Sequence, residues 1–67
     1  MRVSYDKLWR LTRDNHMRKK ELAAAASISS STMTKLNKEE AVSMETMIKF
    51  CKIFDCDIGD VMQVIED

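Results

Sequence analysis

Leu22 to Leu36 reads LAAAASISSSTMTKL, and these fifteen residues decide the fold. Leu22, Ala23 and Ala26 fall on one face of a first helix, while Ile28, Met33 and Leu36 anchor a turn and a second helix. The second helix opens on a cluster of hydroxyls, which favour a helix start over a helix interior because they compete for nearby backbone bonds. Packing the two apolar stripes together makes a sharp helix-turn-helix corner. Ser30, Ser31, Thr34 and Lys35 are then left pointing outward. Short polar side chains and a cation on one helix face suit the major groove of a DNA duplex.

Outward from this segment, periodicity and capping predict five helices, at about Tyr5 to Asp14, Lys19 to Ala26, Ser30 to Lys38, Met44 to Asp55 and Ile58 to Val64. The last three starts share one pattern: a capping side chain, an apolar residue just before it and another four residues after it. Ser29 lies between Ile28 and Met33, Ser43 between Val42 and Met47, and Asp57 between Cys56 and Val61, where Asp60 completes a capping box. Leu8 and Leu11 supply a core face for the first helix, and Met47, Ile48, Cys51 and Phe54 one for the fourth. Trp9 and Tyr5 read as core or interface residues, and most of the six methionines as gap-fillers.

The chain has 67 residues, no proline and one glycine, with a third of its residues charged, which describes a single compact helical domain over 1–67. No apolar run approaches a membrane span or a secretory leader, so a cytoplasmic protein is expected. Cys51 and Cys56 lack paired zinc-ligand spacing and read as small core thiols in a reducing compartment. The formal net charge is zero, yet residues 1–38 carry nine cations against three anions, and residues 39–67 two cations against eight anions. Such a dipole approaches a polyanion with its N-terminal half leading.

The pattern L-A-x-x-x-x-[IV]-S-x-x-T-[hydrophobic]-x-x-[hydrophobic], met by Leu22, Ala23, Ile28, Ser29, Thr32, Met33 and Leu36, resembles the lambda-repressor-like, Cro-type (Xre family) helix-turn-helix regulators. The resemblance spans nearly the whole chain. It implies an all-α, five-helix domain with its helix-turn-helix at about 19–38, and short terminal strands are a further expectation, with Val3 and Tyr5 beside the C-terminal tail. Family members usually carry glycine at the corner and glutamate then glycine after the second helix of the motif, where this chain has Ser27, Asn37 and Glu39. If the backbone at Ser27 is left-handed, serine costs roughly 1 kcal/mol relative to glycine.

By the same resemblance, Ser30, Ser31 and Lys35 occupy the positions that reach base edges, with Lys35 the sharpest reader through guanine O6 and N7. Lys19 and Lys38 match phosphate-contacting positions, and Ser29 and Thr32 flank the same surface as backbone contacts. The implied partner is double-stranded DNA, bound sequence-specifically by a small regulator that acts as a repressor. A homodimer is expected, since two half-sites multiply affinity, and its interface is placed in the acidic half at Val61, Val64 and Ile65. One histidine, His16, and no phosphate-cradling glycine loop argue against an enzyme, and no cofactor, metal or small-molecule ligand is implied. A second class of function stays open: a protein-interaction module, antitoxin-like or an anti-repressor subunit, on the same fold.

Overall fold

The computed structural model of the protein describes residues 2–66. The elements in chain order are strand β1 (Arg2–Ser4), helices α1 (Asp6–Asp14), α2 (Lys19–Ala26), α3 (Ser30–Asn37) and α4 (Met44–Phe54), a 3-10 turn (Ile58–Asp60) and strand β2 (Gln63–Ile65). Each α-helix places at least one fully enclosed side chain in a common core. Leu8 of α1, Leu22 of α2, Leu36 of α3 and Phe50 of α4 have no exposed surface, and Tyr5, Ala26, Met47 and Val61 complete the centre. Enclosing a leucine-sized side chain stabilises by about 1.5–3 kcal/mol, so the contacts among these helices outweigh the weak helix-forming tendency of segments only eight to eleven residues long.

The fifth expected helix, Ile58 to Val64, does not form. Gly59 disfavours helix, and the β-branched Val61, Val64 and Ile65 favour extended backbone. A partner strand decides the matter: β1 and β2 pair antiparallel with Arg2 opposite Ile65, Val3 opposite Val64 and Ser4 opposite Gln63. Ahead of β2 the chain makes only the short 3-10 turn, where Asp57 N–H donates to the Asp60 carboxylate at 3.1 Å, and Lys7 of α1 clamps the turn by donating to the Gly59 carbonyl at 3.1 Å. Val61 then drops into the core with no exposed surface, which removes it from the surface where a dimer contact was expected. Tyr5 precedes α1 instead of opening it, and is itself buried, its hydroxyl donating to the Glu40 carbonyl at 2.7 Å. Burial pushes the pKa of that phenol above its ordinary value.

On α4 the apolar face is rotated from the expected one. Ile48 is 46% exposed while Phe50 is enclosed. Side chains advance about 100° per residue around a helix, which places Met47, Phe50, Cys51 and Phe54 together and carries Ile48 well away from their centre. Cys51 and Cys56 are free, partly buried and packed against the core. Burial raises the Cys56 thiol, and the nearby Cys51 thiol and the carboxylates of Asp60 and Asp57 add to the effect. No helix among the described residues is long and apolar enough to cross a membrane.

All four α-helices end the same way. A residue with positive φ follows the helix: His16 (57°), Ser27 (54°), Glu39 (58°) and Asp55 (51°). The next N–H returns to a carbonyl five residues back, from Met17 to Thr12, Ile28 to Ala23, Glu40 to Lys35 and Cys56 to Cys51, over 2.8–3.1 Å. Glycine is the residue that adopts this conformation without strain, yet Gly59 stands at none of the four corners. Aspartate and histidine tolerate it better than serine or glutamate. Glu39 is additionally paired with Arg2 at 3.1 Å, although both side chains are more than a third exposed and a surface pair contributes only about 0–1 kcal/mol. Ser27 has no such compensation, so Ser27→Gly is expected to stabilise the domain by about 1 kcal/mol, or roughly 4–8 °C in melting temperature. A smaller gain is expected for Glu39→Gly, which forfeits its ion pair, and thermal denaturation of the two variants measures the difference.

Candidate nucleic-acid interface

The corner between α2 and α3 is built by backbone. Ser27, at φ 54° and ψ 43°, turns the chain, and Ile28 N–H closes on the Ala23 carbonyl at 3.1 Å. Ile28 and Met33 pack against the core and Leu36 is enclosed within it, which fixes the rotation of α3 about its own axis. The opposite side therefore meets solvent: Ser30, Ser31, Thr34, Lys35, Asn37 and Lys38 are all exposed. Ser30, Ser31 and Lys35 thus share one open face, with no hydrogen-bond partner for their side chains among the described residues. Thr34 is exposed as well, but its hydroxyl donates to the Ser30 carbonyl at 2.9 Å, so it offers its methyl group more than a donor. The helix ends at Asn37, and Lys38 follows as its C-cap.

Ser29 and Thr32 are differently employed. Ser29 Oγ accepts from Thr32 N–H at 3.2 Å and lies 3.2 Å from the Thr32 hydroxyl. The same arrangement recurs at α4, where Ser43 caps Thr46 N–H at 3.3 Å. Capping is therefore the first duty of Ser29, and Thr32 is half-buried beside it. One hydroxyl of the pair donates to the other, which leaves a single O–H for an outside acceptor.

The start of α2 lacks such a cap. Arg18 stands at the N-cap position with no acceptor atom, and no side chain caps the helix from there. The Glu21 carboxylate reaches back to accept Arg18 N–H at 3.0 Å. The first turn of α2 thus presents the positive end of its dipole between Arg18, Lys19 and Lys20, all exposed. Beside it runs an open cleft of about 370 Å³ lined by Trp9, Thr12, Arg13, Met17 and Lys19. Lys19 is not a loose surface cation: its Nζ donates to Asn37 Oδ1 at 2.8 Å and sits 4.3 Å from the centre of the Trp9 ring. Asn37 and Trp9 were not among the site residues expected from sequence. Residue spacing carries no signal for a contact between side chains eighteen positions apart on different helices. Among the described residues no group of three or more histidine, cysteine or acidic side chains is arranged to hold a metal ion.

The polar face, its cap and the uncapped cationic helix start lie on the two consecutive helices of the motif. The family model of the Cro/C1-type HTH DNA-binding domain matches residues 7–67, which takes in every element after β1 apart from Asp6, the first residue of α1. Among solved structures, the crystal structure of transcriptional regulator VanUg, Form II, is similar at a TM-score of 0.94 and 42% sequence identity, over 98% of this chain and 88% of that one. No curated protein matches the chain.

Stability separates the capping serine from its neighbours. Ser29→Ala is expected to cost about 1 kcal/mol, whereas Ser30→Ala and Ser31→Ala stay within about 0.5 kcal/mol of the unaltered protein, as read by urea denaturation.

Proposed function

From the premise that this chain belongs to the Cro/C1-type helix-turn-helix DNA-binding family, we propose that it is a sequence-specific regulator that represses transcription by laying α3 in the major groove. The observation that carries this reading is the open face of Ser30, Ser31 and Lys35, held outward by the enclosure of Leu36 on the opposite side of the same helix. Lys35 donates to guanine O6 and N7, and the serine hydroxyls donate or accept with weaker discrimination, in part through water. With no arginine, asparagine or glutamine at Ser30, Ser31 or Lys35, the planar donor fork and the paired donor and acceptor of an amide are missing there, and duplex shape carries a share of the selectivity. Lys19, Lys38 and the free hydroxyl of the Ser29 and Thr32 pair contact phosphates on either side. The uncapped first turn of α2 adds backbone donors to the same strand.

A single module of this size reads few base pairs, so the regulator acts as a homodimer on two half-sites about one helical turn apart. Its contact surface uses apolar side chains that the monomer leaves uncovered, Val64 at 54% exposure together with Met44 and Ile48 on α4. The protein is not an enzyme in this reading, and it acts in the cytoplasm.

A gel shift against DNA upstream of its own coding sequence, at low and moderate salt with a scrambled competitor, tests the proposal. Specific, salt-sensitive retention supports it. No retention supports a protein-interaction module instead, and equal retention of scrambled DNA supports that module or a merely electrostatic binder. Lys35→Ala is expected to cost roughly 1–3 kcal/mol of binding and to relax preference at one base position, while Lys38→Ala weakens all sequences alike and lowers the salt dependence. A Lys35→Ala protein that keeps full affinity and full preference would remove α3 from the reading role.

A further inference from the structure

One ammonium group joins three helices. Lys19 opens α2, its acceptor Asn37 is the last residue of α3, and the indole beneath it belongs to Trp9 of α1. A free lysine samples many rotamers and loses that freedom when it captures an anion. Here the side chain is held in advance while remaining exposed to solvent.

Both holders are neutral. Where Arg2 meets Glu39 the two charges cancel, but an amide oxygen and an aromatic face attract an ammonium without neutralising it. The full positive charge of Lys19 is thus retained for an incoming polyanion. Of its three N–H groups, Asn37 takes one, and the indole face offers no lone pair to take another. The Asn37 amide also has a defined orientation: with Oδ1 turned to Lys19, its two N–H groups have no partner among the described residues.

We infer that Trp9 and Asn37 are positioning residues of a phosphate clamp at the junction of α2 and α3, holding Lys19 Nζ where it grips one phosphate of a DNA backbone. This rests on the duplex-binding function proposed above and assigns it two further residues. An asparagine suits position 37 because aspartate would hold the lysine more tightly while turning a negative charge toward the DNA. An aliphatic side chain in place of Trp9 would leave the ammonium tethered at one point only. Preorganisation raises affinity by lowering the ordering cost of binding, and it does so for every sequence, since a phosphate contact carries no base information.

The test is a double-substitution cycle read by fluorescence anisotropy, using a labelled duplex from upstream of the coding sequence and a scrambled duplex. Asn37→Ala is expected to weaken binding to both duplexes by roughly three- to tenfold, and by less than about twofold when Lys19→Ala is already present. Asn37→Asp is expected to match or exceed the unaltered protein in thermal stability and yet to bind DNA more weakly than Asn37→Ala. That pairing is one a purely structural residue cannot produce. Trp9 is the single tryptophan, so its emission reports on Lys19 directly: it should change on DNA titration, and the change should vanish in Lys19→Ala. If the unaltered protein binds DNA but Asn37→Ala is silent, or costs the same with and without Lys19, the clamp is wrong and the DNA-binding function stands. No retention of either duplex by the unaltered protein overturns both.

Discussion

The left-handed turn at Ser27 is the constraint on which the rest of the molecule depends. It sends Ile28 back against the end of α2 and aims α3 so that Leu36 has no exposed surface. With one side of α3 held this way, the other has no freedom. A slip of one residue in the register of α3 would rotate its side chains by about 100°, lifting Leu36 out of the core and turning polar neighbours inward. The exposure of Ser30, Ser31 and Lys35 is thus a consequence of core packing, and it needs no separate device to keep those side chains accessible.

The other three helix ends repeat that device, and none has the residue best suited to it. Four left-handed positions held by histidine, serine, glutamate and aspartate represent a conceded stability that, at up to about 1 kcal/mol each, is appreciable against the 5–15 kcal/mol typical of a whole domain. Compensation is local in one case, through the Arg2 and Glu39 pair, and collective in the others, through the enclosed leucines and Phe50. The geometry of the corners is set by the return hydrogen bonds and by packing, strongly enough to override residue preference.

Charge is handled in three ways on this surface. Arg2 is paired with a carboxylate, while Lys19 is held by an amide oxygen and an indole, and Lys35 and Lys38 stand in the open. A zero net charge conceals this, because eight of the eleven anions are concentrated in residues 39–67, on the C-terminal side of the motif. The field that a polyanion would meet is determined by which cations keep their charge uncompensated at the surface.

The corner, the serine caps at Ser29 and Ser43, and the polar face of α3 were legible in the sequence, because each depends on residues within about one helical turn of one another. Even the left-handed strain at Ser27 was readable from a missing glycine. The C-terminal segment was legible only in part: a strand at Val3 beside the tail was expected and forms, but Tyr5 lies outside it, and spacing alone favoured a helix over Ile58 to Val64 where the presence of Arg2–Ser4 alongside makes Gln63–Ile65 a strand and sends Val61 into the core. The outward turn of Ile48 and the hold on Lys19 belong to the same class, since each is decided by helices distant in sequence. Local hydrogen bonding and periodicity are written in neighbouring residues, whereas the choice between helix and strand, and the partner a long side chain finds, are settled by surfaces that exist only once the chain has closed on itself.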